Sequence, residues 1–168
     1  MTISLHEAVV PGFLQTLRAV SGLLDKAEAE GPEILSARLA PDMHDFAYQV
    51  KSCAVHSFGA IEGVRRGGFS PDTNDVRDFA GLRARLEEAR RGLEAIAPDE
   101  LDALADSEVV FAMGDRFRLP FTAARFLLSF STPNLHFHAT TAYALLRARG
   151  VAIGKVDYLG RMRSGYPA

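Results

Sequence analysis

Gln49, His56, Asn134 and His138 are the side chains whose types and spacing could do chemistry. An imidazole can donate, accept or ligate a divalent metal. Asn134 precedes His138 by four residues, so on a helix the carboxamide and the imidazole share one face. Gln49 and His56 are seven residues apart, roughly 10 Å along a helix axis and nearly in phase. Three chemistries fit such a set. Zinc or nickel can be held by side chains from facing helices. A hydrogen-bonded cluster can fix the register of those helices. A small molecule can occupy the space between them. Carboxamides are weak ligands for such metals, and His138 is the one good ligand placed to face inward on the later helix. Buried polar groups of this kind require partners whichever reading holds.

Other candidates are weaker. His136 and His138 form an HxH that would chelate from a strand, but on a helix the two rings point about 200° apart. Cys53 lies three residues before His56, close enough for a thiol–imidazole contact, although a lone helical cysteine beside a core stripe usually packs inertly. Tyr143, Tyr158 and Tyr166 define no constellation. The chain has no phosphate-cradling glycine loop, nucleophile elbow or paired-carboxylate motif.

The elements that must position these residues follow from periodicity. Leu5, Val9, Phe13, Leu17, Val20 and Leu24 predict a first helix over about 4–28, with a kink at Pro11–Gly12 and a stop at Gly31–Pro32. Met43, Phe46, Val50, Ala54, Ile61 and Val64 predict a second from about Pro41 to Arg65, with Asp42 and Asp45 at its positive end. The stretch Arg66–Asp75 reads as a loop. Phe79, Leu82, Leu86, Ala89, Leu93 and Ile96 mark a third, amphipathic helix whose charged face is solvated, closed by Pro98 and followed by a short turn over 99–105. Glu108–Met113 and Phe117–Phe121 flank Gly114–Asp115 and predict a β-hairpin lying against the helices. A short helix over 122–130 leads into the last long helix. There Thr132 is the expected N-cap, Pro133 the first helical position and Gly150 the left-handed stop, with Arg147 and Arg149 in the last turn. Lys155 and Asp157 are close enough to pair in the tail.

The chain has 168 residues and a formal net charge of −2, with nearly half its residues apolar. That length favours a single domain over 1–168, and the charge gives no reason to expect nucleic acid. No apolar run approaches the ~18 residues that cross a bilayer, and no signal peptide is evident. One cysteine, Cys53, fits a reducing cytoplasm.

The run PNLHFHATTAYALLRARGVAIGKVDYLG, preceded by Phe126–Leu127–Leu128, resembles the C-terminal signature of a bacterial domain of unknown function in the DinB/YfiT-like superfamily. The stretch Leu39–Val50, LAPDMHDFAYQV, resembles the start of that domain's second helix. The resemblance implies an all-α fold: an up-down-down-up four-helix bundle with a long link between helices two and three, here with the hairpin before the last long helix. It also implies a homodimer. Many relatives in the superfamily carry a three-histidine metal site, one ligand from helix two and two from an HxxxH on helix four. His138 matches the second histidine of that pair, Asn134 stands in place of the first, and Gln49 stands near the helix-two position. The expectation is therefore a protein without the tri-histidine metal and without a cofactor. Its pocket lies between helices two and four, is lined by Gln49, His56, Asn134 and His138, and is open to a small molecule. The alternative is a metal-dependent enzyme, a thiol transferase or hydrolase, with His138 as a ligand to zinc or nickel. Neither reading assigns a catalytic residue.

Overall fold

The computed structural model describes residues 3–163. Tyr166 lies outside them. Helix α1, Leu5–Glu30, starts where the Ser4 hydroxyl accepts from the Glu7 N–H and ends at Gly31, whose φ of 108° only glycine takes readily. It continues through Pro11. A 3₁₀ turn, Pro32–Ser36, leads to α2, Phe46–Val55, and α3, Phe58–Arg66. Strand β1 is Gly68–Phe69, and α4 is Phe79–Glu94. A short helix α5, Pro98–Ala103, precedes strands β2, Glu108–Met113, and β3, Phe117–Thr122. Helix α6, Ala123–Arg125, a π-helical segment over Phe126–Ser131 and α7, Thr132–Ala148, form one unbroken helical run. Helix α8, Lys155–Leu159, closes the described chain.

Helix α1 packs against α4, α7 and α8, and α2 packs against α7 and α4. One contiguous apolar cluster runs through these contacts, with Phe13, Leu17, Phe46, Val50, Leu86, Leu93, Leu135 and Leu145 among its members. Burying each such side chain contributes about 2 kcal/mol against unfolding. The sheet has order β1-β2-β3. Strand β1 runs parallel to β2, with Phe69 opposite Phe111, and β2 pairs antiparallel with β3, with Val109 opposite Phe121. The hairpin thus forms where periodicity predicts it, extended by a two-residue strand. Phe69, Phe111 and Phe121 meet Phe126 and Phe130 of the π segment at ring-centroid distances of 4.8 to 6.1 Å. This aromatic cluster fastens the sheet to the helices.

Two expected boundaries move. The second helix does not begin at Pro41. Residues 40–44 turn, and the Asp45 carboxylate accepts from the Tyr48 N–H as the true N-cap. It also breaks at His56–Ser57, where the Ser57 hydroxyl donates back to the Cys53 carbonyl at 2.7 Å and Ser57 adopts φ −109°, ψ −94°. In the last helix Thr132 is not a cap. The run starts at Thr122, whose hydroxyl accepts from the Arg125 N–H. Pro133 lacks an N–H and its ring crowds the preceding turn, and the wider π turn immediately before it relieves both problems. The Thr132 hydroxyl donates to the Leu127 carbonyl at 2.8 Å, and the Asn134 amide donates to the Phe130 carbonyl at 2.7 Å. Gly150, at φ 83°, follows the last turn as expected, and Arg149 is exposed. In the tail, Asp157 pairs with Lys26 at 3.6 Å, not with Lys155.

Candidate functional site

Helix α2 presents Gln49 toward α7, and α7 presents His138 toward α2. Gln49 Oε1 and His138 Nδ1 lie 2.7 Å apart, buried. The opposite end of the amide, Gln49 Nε2, donates to the His44 carbonyl at 3.1 Å. Only an NH₂ can donate to that carbonyl, so the oxygen of Gln49 must face the imidazole. His138 Nδ1 therefore carries the proton, and its Nε2 is the lone-pair nitrogen. No side chain or backbone group among the described residues hydrogen-bonds that Nε2.

The break after Val55 sets His56 beside His138, with centroids 5.4 Å apart and planes 18° from parallel. His56 Nδ1 is buried without a partner among the described residues. Burial pushes the pKa of His56 down to about 4. His138 also falls to about 4, first through burial and then through repulsion from His56 and His44. Both rings are neutral near pH 7. Cys53 points elsewhere. Its thiol donates to the Gln49 carbonyl at 3.3 Å, and burial raises its pKa far above the usual thiol range. It makes no thiol–imidazole pair with His56. His136 is exposed, on the opposite side of α7 from His138, with Nδ1 3.5 Å from the Tyr158 hydroxyl.

The imidazole pair borders a cavity of about 270 Å³. His56, Asn134 and His138 are on its wall, whereas Gln49 stands behind His138 and braces it. Asn134 does not join the Gln49–His138 pair, because its NH₂ serves the Phe130 carbonyl at the π turn. Phe69, Phe111 and Phe130 supply an aromatic side to the cavity, Tyr48, Lys51, Ser52 and Val55 of α2 another, and Pro71 and Asp72 complete it. Periodicity passes over Tyr48 and Lys51, although 44, 48, 51 and 55 recur by three and four. A lysine in that row is the one signal that could have exposed the second polar wall.

The strap over residues 70–78, between β1 and α4, lies across this region. Lys51 Nζ donates to the carbonyls of Asp72 and Asn74 at 2.9 and 2.8 Å. Asp45, almost fully buried, pairs with Arg38 at 3.2 Å and with Arg77 at the far end of the strap. A second cavity of about 340 Å³, bounded by Glu62, Arg66 and Arg85, shares Val55, Phe69 and Asp72 with the first.

The donor set does not fit a three-imidazole metal centre. Gln49 has committed its oxygen to His138 and its NH₂ to His44, and Asn134, with its NH₂ engaged on the backbone, offers only a carboxamide oxygen, a weak ligand for zinc or nickel. Two imidazoles remain. No group of three or more His, Cys, Asp or Glu side chains suited to a metal occurs among the described residues. No helix among them is long and apolar enough to cross a membrane.

The model of a family described as "Domain of unknown function (DUF1993)" matches residues 5–159. Among solved structures, the chain is similar to a DinB family member protein from Shewanella denitrificans, with a TM-score of 0.79 and 28% identity over 97% of this chain and 96% of that one. No curated protein matches the chain.

Proposed function

The chain belongs to the DUF1993 family and is DinB-like, and from that premise we propose that it is a small-molecule-binding protein without the tri-histidine metal site. In this reading residues 1–168 form a single DinB-like domain, an up-down-down-up four-helix bundle. Its ligand sits between α2 and α7 against His56, Asn134 and His138, with Gln49 holding His138. The observation that carries the reading is a cavity of about 270 Å³ bordered by two neutral imidazoles, one with an unpartnered buried nitrogen. A space of this kind, with an aromatic side facing a polar one, suits an organic ligand. The protein is further read as a cytoplasmic homodimer. Phe137 and Leu39, both exposed beside Pro133, offer an apolar face that a second copy could cover.

The second reading is a metal-dependent enzyme, a thiol transferase or hydrolase, with His138 ligating zinc or nickel. It is favoured by one feature: Gln49 fixes Nδ1 and leaves Nε2 free, as an outer-shell partner does for a ligating histidine. Elemental analysis of protein purified without an affinity tag separates the two. The binding reading expects no stoichiometric transition metal. A metal at one per chain that disappears in His138→Ala would replace it with the second.

A further inference from the structure

Lys51 carries a positive charge into the wall of the cavity without an ion pair, and the one carboxylate on that wall, Asp72, is paired with Arg85 instead. Its side chain is embedded, the residue being 5% exposed. Two of its three ammonium protons go to the carbonyls of Asp72 and Asn74, and its Nζ lies 4.9 Å from the centre of the Tyr48 ring. Those partners are dipoles and a quadrupole, not counter-ions. No carboxylate among the described residues forms an ion pair with Lys51. The nearest candidate by position, Asp72, also lines the cavity but is turned to other groups: Oδ1 accepts from the Asn74 N–H at 2.9 Å, and Oδ2, buried without a hydrogen bond, lies 3.5 Å from the Arg85 guanidinium. A buried ammonium ordinarily has a charged partner, because leaving it without one is strongly unfavourable. The partner missing from the chain can be supplied by what enters the cavity.

Resting on the pocket reading above, we propose that the ligand is an organic carboxylate with a flat, apolar body. Its carboxylate takes the third N–H of Lys51, and its body lies along Phe69, Phe111 and Phe130. The neutral imidazoles of His56 and His138 suit this class, since neither adds a second cation that would call for a dianion. Charge-assisted hydrogen bonds are about twice as strong as neutral ones, so the charge of the ligand decides its selection.

The test is NMR titration of the full chain with three probes, following the ring signals of His56, His138 and Phe130. Benzoate has body and charge, benzamide has the same body without charge, and acetate has charge without the body. Benzoate is expected to bind about tenfold more tightly than benzamide, the ratio that one charge-assisted hydrogen bond supplies, and acetate more weakly than either. In Lys51→Met, which keeps the apolar stem, the preference for benzoate over benzamide should vanish. Equal binding of benzoate and benzamide to the wild-type chain would overturn the carboxylate assignment and leave the pocket reading standing. Failure of both aromatic probes to move any of the three ring signals would remove the pocket reading and this inference together. The wild-type comparison decides the matter even if the Lys51 variant does not fold.

Discussion

A single amide fixes the chemistry of His138. Because Gln49 must give its NH₂ to the His44 carbonyl, the imidazole is left as a donor at Nδ1 and an acceptor at Nε2. This is legible in the sequence only in part. Gln49, Asn134 and His138 stand out as polar residues on apolar stripes, but which two would bond depends on a helix-to-helix register that spacing within one helix does not define. The outcome is Gln49 with His138 across the interface, and Asn134 with the backbone of its own helical run. His138→Ala should lower stability by about 1–3 kcal/mol, because the Gln49 oxygen stays buried without a donor. Gln49→Leu should cost a similar amount. The double variant should cost less than the sum, by about 0.5–3 kcal/mol, since each single change already removes the same bond. Urea unfolding of the four proteins measures the cycle, and strict additivity would mean that the 2.7 Å contact contributes nothing.

At the scale of elements, charge and glycine signals read well and backbone exceptions do not. The stop at Gly150, the amphipathic α4 and the hairpin follow from residue type. The break at His56–Ser57 does not, because Ala54 and Ile61 continue one apolar stripe across it at a spacing of seven. What ends α2 is a short-range competition: the Ser57 hydroxyl takes the Cys53 carbonyl, a bond that stripe counting cannot weigh. That break matters, since it sets His56 on the cavity wall. Strand β1, two residues long, has no periodicity to detect, and the π segment reads in sequence as an ordinary helix start before a proline. Asp45 is the residue on which the start of α2 and the strap both depend. It caps Tyr48, and it pairs with Arg38 and Arg77 while nearly fully buried. Asp45→Ala should therefore cost about 1–2 kcal/mol, chiefly the lost cap, since the Arg38 and Arg77 side chains left behind are 42% and 55% exposed and stay solvated. Hydrogen exchange at Tyr48 and along residues 70–78 should rise more than in α1. Uniform acceleration everywhere would show that the brace is not local.

The whole molecule couples the site to global stability, because the imidazole pair lies between α2 and α7, whose other faces belong to the one apolar cluster. The coupling has a definite sign. Both histidines titrate near 4 in the folded chain, against an ordinary value of about 6.5. Above about pH 6.5 both states are neutral at these sites and the pair makes no difference. As pH falls from about 6.5 towards 4, the unfolded chain binds protons that the folded chain refuses, so stability must fall. The loss is bounded at about 3 kcal/mol per histidine, and the pair should fall short of twice that figure because stacked rings do not titrate independently. The lowered carboxylates Glu87, Glu94 and Asp157 act in a separate window, losing their contribution only as pH drops through and below the ordinary carboxylate range. Urea midpoints measured across about pH 7.5 to 4.5 should therefore decline before those carboxylates titrate. His138→Asn, which keeps a donor for Gln49 but cannot take up a proton, should flatten the decline by about half. A wild-type midpoint that holds steady through this window would mean that the imidazoles charge as readily in the fold as in water, and the neutral imidazole wall would be lost with them.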